Sequence, residues 1–445
     1  MSLFGTDGIR GQADQPPLDE HTLCRLGAVL ASELESGQCV LIGHDGRESA
    51  SRIEQSLARG LATGGISCVN AGLVTTPALA HETRLGPFDV GIMISASHNP
   101  ARDNGIKLFG PGGRKLADEV EAHIETKMAA GVEPGALPDS VEVPELAGGT
   151  ARYESFLHDE SFPDLDLGGM RIALDTANGS GSHMVPAILD SFGAEVLCWH
   201  DSPDGQNINA NCGALHPEVL AEECKGTGAR VGLCLDGDGD RAIFIDEHGQ
   251  VVHGDAILSL LAVELHKRGH LAKDSLVVTV MSNLGLKKAL RERGMRVVET
   301  PVGDRAVVAA MEREGLTLGG EPSGHIIFGP AHEYTGDGLY AALVLLGIMV
   351  EEDRPLSDLA SLFQAFPQLL INVPCVPEKP DLGQIEAVMA AVKRVEDELG
   401  EQGRVVLRYS GTENLCRVMV EGPEESVVER HTEHIVEAVR EAVGA

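Results

Sequence analysis

The sequence is short of positive charge. It sets 35 Lys and Arg against 68 Asp and Glu, a formal net charge of −33 with His neutral. So acidic a surface repels phosphodiester backbones, which argues against nucleic acid and anionic membranes as partners. A small anionic ligand stays admissible, because salt screens the global field while a basic pocket acts at short range. Long apolar runs are also missing. The longest, Leu339 to Val350, is too short to cross a bilayer and reads as a buried helix. The start, Met1-Ser2-Leu3-Phe4-Gly5-Thr6-Asp7-Gly8, turns polar at once and lacks the apolar core of a secretion signal. The nine cysteines, scattered from Cys24 to Cys416, contain no C-x-x-C pair. That pattern fits a reducing, cytoplasmic setting without structural zinc.

What is present is ordinary globular composition, 43% hydrophobic and 23% charged. At about 150 residues per domain, 445 residues suggest roughly three domains, give or take one. One unit recurs: a β-branched run, a polar Gly-containing loop, an amphipathic stretch and another β-rich run. The first copy is Val40 to Gly43, a loop at His44 to Ser49, a helix near Ile53 to Thr63, then Ile66 to Val69. The second is Arg171 to Leu174, a loop at Asp175 to Gly179, a helix near Met184 to Phe192, then Ala194 to Cys198. The third is Leu276 to Val280, a loop at Met281 to Asn283, a helix near Gly285 to Arg293, then Arg296 to Glu299. Strands alternating with short helices predict parallel α/β sheets, and three copies predict three similar domains.

Each copy is followed by a further strand with a chemically unusual exit. Val90 to Ile94 leads into Ser95-Ala96-Ser97-His98-Asn99-Pro100. Val231 to Leu235 leads into Asp236-Gly237-Asp238-Gly239-Asp240-Arg241. Leu316 to Leu318 leads into Gly319-Gly320-Glu321-Pro322-Ser323-Gly324-His325. Ligands of open α/β sheets gather at the carboxyl ends of strands, so the three loops are expected to converge on one central cleft. Linkers are expected in the Pro- and Gly-containing stretch 131–149, near His248 to Gly254, and at Phe366 to Leu382, where four prolines cluster. The resulting division is 1–150, 151–250, 251–367 and 368–445. In the last segment Ile385, Val388, Met389, Val392 and Leu399 fall at helical spacing before Gly400. Arg404 to Tyr409 and Leu415 to Val420 read as paired strands, and Val427 to Val443 as a helix. This is a smaller α+β domain of another kind.

Three carboxylates at i, i+2 and i+4 repel one another unless a cation sits among them, so Asp236, Asp238 and Asp240 read as an oxygen-only site for Mg²⁺. An EF-hand is the decoy, since Glu247 falls at its twelfth position, but Arg241 stands where that loop needs Gly. The bland reading is a solvated acidic turn. Ser97 alone reads more readily as a hydrogen-bonding turn serine. Next to a Mg²⁺ loop it becomes a candidate phosphoryl carrier, with adjacent His98 expected to point elsewhere. Asn104-Gly105 reads as a tight hairpin turn that returns Lys107 toward Ser97. There Lys107 would neutralise phosphate or move a proton; otherwise it is a surface lysine. Arg408 to Asn414, with Arg417, offers an anion nest of backbone N–H groups and hydroxyls between two arginines. The competing reading is a plain hairpin turn. Glu321, Ser323 and His325 mix acceptor, hydroxyl and imidazole as a polyhydroxylated ligand requires, though a surface loop carries the same residues. Arg10, in the Gly-punctuated stretch Gly5 to Gly11, is a further candidate phosphate ligand. Cys212 and His216 invite a metal reading that is discounted, because no second pair lies at zinc spacing.

Together these loops resemble the α-D-phosphohexomutase superfamily. The resemblance runs through Phe4 to Gly11, Ser95 to Pro100, Asp236 to Arg241, Met281 to Leu286, Val302 to Arg305, Glu321 to His325, Thr335 to Gly338 and Arg408 to Glu413. The serine and triple-Asp loops carry it most specifically; the N-terminal segment and Ser282 to Gly285 point to the glucosamine branch. Two residues depart from the common pattern: Ser95 where Thr is usual, and Pro322 where Gln or Met is usual.

The resemblance implies three similar α/β domains with mixed sheets and a smaller C-terminal α+β domain around a central cleft. It implies interconversion of glucosamine 6-phosphate and glucosamine 1-phosphate, feeding cell-wall precursors in the cytoplasm. Ser97 would be the phosphoserine, and Asp236, Asp238 and Asp240 would bind Mg²⁺ with a phosphoserine oxygen. Arg241, Glu321 and Ser323 would hold the sugar phosphate. Arg408, Ser410, Gly411, Thr412 and Arg417 would hold its non-reacting phosphate. Lys107, Arg10 and His325 would do acid–base or charge-neutralising work. Glucosamine or glucose 1,6-bisphosphate would serve as intermediate or activator, and a homodimer is compatible with all of this. The rivals are a phosphomannomutase or phosphoglucomutase of the same superfamily, a Mg²⁺-dependent phosphatase and an acidic Ca²⁺-binding protein.

Overall fold

The computed structural model describes residues 3–5, 7–131, 133–410 and 414–444. Three five-stranded sheets share one order over four strands and differ in the edge strand, which comes first in the chain in the first sheet and last in the other two. The first contains β1 (Ile9–Gln12), β2 (Cys39–His44), β3 (Ser67–Leu73), β4 (Val90–Ile94) and β5 (Asp103–Phe109), in the order β1-β5-β4-β2-β3. The second contains β6 (Arg171–Asp175), β7 (Glu195–Trp199), β8 (Val231–Leu235), β9 (Ala242–Ile245) and β10 (Val251–Val252), in the order β10-β9-β8-β6-β7. The third contains β11 (Ser275–Thr279), β12 (Arg296–Thr300), β13 (Leu318–Gly320), β14 (Ile326–Phe328) and β15 (Thr335–Gly336), in the order β15-β14-β13-β11-β12. In each, three strands run parallel and the others add antiparallel at one edge, so the sheets are mixed. The central parallel strands are rich in apolar residues because both faces are covered; β4 and β8 are buried throughout.

The fourth domain is an antiparallel sheet of β16 (Gln368–Pro374), β17 (Arg404–Tyr409) and β18 (Leu415–Glu421), with β18 central. Helices Glu386–Leu399 and Glu425–Val443 cover its apolar face through Val388, Val392, Val395, Ile435 and Val439. Gly400 closes the first of these helices at φ 54°, where a side chain would be strained. Here the sequence reading needs correcting: Gln368 to Pro374, expected inside a linker, is a strand. Its prolines frame it or sit at its end, where no ladder hydrogen bond is lost, while Leu369, Ile371 and Val373 alternate against the core. The third exit strand is also displaced, running over Leu318–Gly320 and not Leu316 to Leu318. The stretch after the first domain is pinned to it: Gln55 and Arg59 donate to the carbonyls of Val141 and Pro138.

The domains dock through buried polar contacts. Glu82 of the first domain accepts from the Arg152 and Tyr153 backbone N–H groups, and the Tyr153 hydroxyl donates to Asp337 at 2.7 Å. Helix Gly338–Glu352, the long apolar run of the sequence, is buried on nearly all sides within the largest core. Among the described residues no helix is long and apolar enough to cross a membrane.

Candidate active site

The same topological position in each sheet, the exit from the strand that meets the antiparallel edge, delivers the chemistry. After β4 the chain turns sharply. Ser97 adopts φ 52° and is fully buried, its N–H donating to Ser95 Oγ at 2.8 Å. Ser95 Oγ in turn donates to Asp45 at 2.7 Å, and Asp45 accepts from buried Arg47 at 2.9 Å. Arg47 also donates to the carbonyls of Ser97, Asn99, Pro100 and Asp103, so one guanidinium shapes the whole serine loop. Asn209 of the second domain donates to the Ser97 and Asn99 carbonyls at 2.9 and 3.0 Å. The Ser95 departure is mild for a visible reason, since the hydroxyl is the group in use and Thr carries it too.

Ser97 Oγ donates to Asp236 at 2.7 Å, 139 residues away in sequence. Asp236, Asp238 and Asp240 each offer a carboxylate oxygen within 4.8 Å of the others, and all are buried. Burial and the neighbouring Asp240 and Asp238 push the Asp236 carboxyl well above its ordinary range. Asp238 Oδ1 is buried without a hydrogen-bond partner among the described residues. Three converging carboxylates and an unsatisfied oxygen are the donor set a hard divalent cation requires, so these residues fit Mg²⁺. Thr76, at the start of helix Thr76–Leu85, donates to Asp238 Oδ2 at 2.5 Å and fixes the loop's orientation.

Lys107 lies at the centre. Its Nζ meets Asp238 at 2.7 Å and Asp240 and Asp7 at 3.2 Å. Burial works against its charge, but these three carboxylates outweigh it and hold the ammonium protonated well beyond its ordinary range. Lys107 does return toward Ser97, but not by the expected turn. The hairpin closes at Pro100 to Asp103, and Asn104-Gly105 lies within β5. Asn104 is there for its amide, which donates to Ser49, and Gly105 for clearance, since a Cβ would sit 2.5 Å from the Ser95 carbonyl oxygen. A second correction concerns His98. Its Nδ1 lies 3.2 Å from Ser97 Oγ and 3.0 Å from Arg241. The left-handed backbone at Ser97 breaks the alternation that would separate neighbouring side chains. Burial, with Arg241 and Arg10 nearby, pulls the His98 pKa down to about 4.

A cavity of about 440 Å³ opens from this centre. His98, Asp240, Arg241 and Asp7 form one wall, Glu321, Ser323 and His325 another, and Arg408 and Arg417 the far side. Buried His325 points Nδ1 at Asp240, 3.5 Å away. Glu321 accepts from the Gly303 N–H at 3.1 Å. Pro322 is the second residue of the four-residue turn Glu321 to Gly324, a position its fixed φ suits. Arg408 and Arg417 stand directly opposite each other on β17 and β18. Ser410 follows β17 and its carbonyl accepts from Lys379 at 2.7 Å. Gly411 and Thr412 lie outside the described residues. Arg10 is tied to Asp7 at 2.6 Å beside Lys107. Asp7 is shared again with Lys115, which also binds Asp304 of the third domain.

Cys212 does meet a histidine, but His200 and not His216. Asp175, His200 and Cys212 cluster at the carboxyl end of β6, beside the strand end from which the Asp236 loop leaves. The Asp175 carboxylate is already taken by His200 and by the N–H groups of Ala177 and Gly213, so the cluster reads as a loop knot. Thr76, Asp45, Arg47, Asn209, Asp7 and Lys115 were not singled out in the sequence for their partners. Only the Thr-Pro helix start at Thr76-Pro77 was a local signal.

Four domains, three equivalent strand exits and one cleft holding a serine, a carboxylate trio and an arginine pair define a phosphoryl-transferring sugar-phosphate enzyme. The chain belongs to the phosphoglucomutase/phosphomannomutase family: that family's α/β/α domains I, II and III match residues 1–134, 153–249 and 253–366, and its C-terminal domain matches 370–438. Within the family, the phosphoglucosamine mutase of Nitratidesulfovibrio vulgaris is 47% identical over 449 residues, covering 98% of each chain. A phosphoglucomutase/phosphomannomutase family protein from Burkholderia thailandensis superposes with a TM-score of 0.81 at 23% identity, covering 99% of this chain and 97% of its own. The N-acetylphosphoglucosamine mutase of Aspergillus fumigatus, solved with GlcNAc-6P and magnesium, superposes at 0.69 with 19% identity, covering 99% and 96%.

Proposed function

We propose that the chain interconverts glucosamine 6-phosphate and glucosamine 1-phosphate through phospho-Ser97 and a glucosamine 1,6-bisphosphate that turns around inside the cleft. The observation that carries this reading is the 2.7 Å contact between Ser97 Oγ and Asp236, next to a cavity that the adjacent His98, Asp240 and Arg241 line together with Arg408 and Arg417. A sugar with a phosphate at one end and a hydroxyl at the other would span it, phosphate on Arg408, Arg417 and the Ser410 to Thr412 loop, hydroxyl facing residue 97. Residues 1–150 then supply the phosphoserine, 151–250 the metal loop, 251–367 the sugar contacts and 368–445 the phosphate grip. Glu321 and Ser323 suit the ring hydroxyls.

In the forward transfer the sugar hydroxyl oxygen bonds to phosphorus as the Ser97 Oγ–P bond breaks, and the hydroxyl proton goes to Lys107, restoring the one that its ammonium gives to Ser97 Oγ. Asp236, Asp238 and Asp240 would hold Mg²⁺ with an oxygen of phospho-Ser97, and that ion when bound would offset charge on the transferring group. Lys107 is held as an ammonium, so it serves as charge partner and proton donor to the departing serine oxygen. Arg241 faces the same centre and keeps His98 neutral through Nδ1. His325, whose pKa Asp240 raises against the pull of burial, and Arg10 complete the cationic ring. After reorientation the second phosphoryl returns to Ser97 by the reverse step.

The reading makes the enzyme cytoplasmic, a supplier of amino-sugar nucleotide and cell-wall synthesis, with glucosamine or glucose 1,6-bisphosphate as activator. It allows a homodimer and does not need one. The test is intact mass and peptide mapping of the purified protein, with Ser97→Ala beside it. One phosphoryl on residue 97 and no isomerisation by the variant are expected; normal isomerisation by the variant refutes the reading. Release of inorganic phosphate instead of the isomer marks a phosphatase. Faster turnover of mannose or glucose phosphates marks the sister activities.

A further inference from the structure

The third and fourth domains meet at residues 280–284, which connect β11 to helix Leu284–Arg291, and at Glu299 of β12, 3.9 Å from Arg404. On one side the connecting loop borders the cavity, which Met281 lines together with Thr279 just before the loop. On the other it is gripped by the fourth domain. Arg404 donates through Nη1 to the Val280 carbonyl at 2.8 Å and through Nη2 to the Ser282 carbonyl. Its Nε donates to Glu421 at 2.6 Å, and the other Glu421 oxygen accepts from the Leu284 N–H at 2.7 Å. Glu421 is fully buried. The covalent entry to the fourth domain is held at the same place. Asn283 accepts from the Phe366 N–H at 2.9 Å and donates to its carbonyl at 3.0 Å, and Asn283 N–H is anchored on Asp255 at 2.7 Å.

Arg404 and Glu421 face each other across β17 and β18, and so do Arg408 and Arg417. The first pair lies four residues along the same two strands from the second. At about 3.3 Å per residue the pairs are about 13 Å apart. A rotation of about 10° about the first pair therefore displaces the phosphate-binding arginines by about 2 Å, enough to lose a hydrogen bond. The loop that borders the cavity is the loop on which this lever turns.

We propose that Arg404 and Glu421 are positioning residues, a keyed pivot that couples occupancy of the sugar site to the seating of the fourth domain and so retains the bisphosphate while it turns around. This deepens the mutase reading and rests on it. It assigns the pair no contact with the reacting atoms. A pivot governs retention and not the transfer itself, which separates it from a merely structural contact.

The test uses the full-length phosphorylated enzyme and the variants Arg404→Met, Arg404→Lys and Glu421→Gln. In single turnover with glucosamine 1-phosphate, the first transfer from phospho-Ser97 should stay within about twofold of wild type. The fraction of bisphosphate released to solution should rise at least tenfold in Arg404→Met, and steady turnover should come to depend on added glucose 1,6-bisphosphate. Arg404→Lys, which keeps the ion pair but cannot reach both carbonyls, should fall between. Hydrogen exchange supplies an arm independent of turnover: inorganic phosphate should slow exchange at residues 280–284 in wild type and not in Arg404→Met. If Arg404→Met does not fold, Glu421→Gln decides by the same readouts. Wild-type levels of bisphosphate release together with intact exchange coupling overturn the pivot. A wild-type enzyme that does not isomerise, but shows the exchange coupling, overturns the mutase reading and leaves the pivot standing.

Discussion

Arg408→Met should make the free protein more stable and its ligand weaker-bound. Arg408 stands opposite Arg417 across the strands, and its Nε is buried with no hydrogen-bond partner among the described residues. Burial and Arg417 hold its guanidinium pKa below the ordinary arginine value. Like charges directly opposed across strands cost about 0.2–1 kcal/mol, and an unmet buried donor costs about 1–3 kcal/mol. Methionine keeps the aliphatic stem and removes both terms. A gain of about 1 kcal/mol would raise the fourth domain's melting point by about 4–8 °C, if that domain unfolds separately. In the complex the balance reverses. Each charge-assisted hydrogen bond to phosphate is worth about 1.5–3 kcal/mol, so KM for the sugar phosphates should rise about 10- to 150-fold. Calorimetry of the free enzyme and steady-state kinetics read the two effects separately. A variant that melts lower and keeps its KM would refute the reasoning, because Arg408 would then be a structural turn residue.

Asp238→Asn should leave the fold intact and abolish Mg²⁺-supported turnover, checked by circular dichroism beside activity titrated with Mg²⁺; near-normal turnover without added Mg²⁺ would count against the carboxylate trio. Ser95→Ala strands the Ser97 N–H and one Asp45 bond at a cost of about 1–3 kcal/mol, whereas Ser95→Thr should stay close to wild type in denaturant midpoint. His81 packs against Phe156, ring centres 4.4 Å apart and tilted by 36°, and accepts from Arg84, and burial pulls its pKa down to about 3. Its folded value lies below its unfolded one near 6.5, so stability is full above that pH. It falls as acid protonates the unfolded chain first, by up to about 1.4 kcal/mol per pH unit down to about 3. In His81→Gln, unfolding midpoints measured from pH 7 to 4 should fall less steeply than in wild type.

The elements that could be read from the sequence were those whose cause is local. The three strand–loop–helix units follow from period and loop chemistry, and the Asp236 to Arg241 loop from the spacing of its own charges. What escaped has its cause elsewhere in the chain. Thr76 matters through Asp238, 162 residues away, and Asn209 through Ser97, 112 residues away. Asn104-Gly105 mimics a turn because both residues answer to neighbours, a serine hydroxyl and a backbone oxygen, that only the fold brings close. His98 was misdirected by an alternation rule that fails where Ser97 takes a left-handed backbone. β16 hid behind prolines that mark its edges and not a gap.

The repeated strand exit has a consequence for synthesis. Each domain contributes one loop, and the contacts that complete the site cross between domains, as Ser97 to Asp236 and Lys107 to Asp238 do. Ser97 meets Asp236 only after residue 236 has been made, and the arginine pair is complete only after residue 417. A nascent chain on the ribosome is therefore chemically silent until nearly its full length has emerged, and competence arrives in one step with the last sheet.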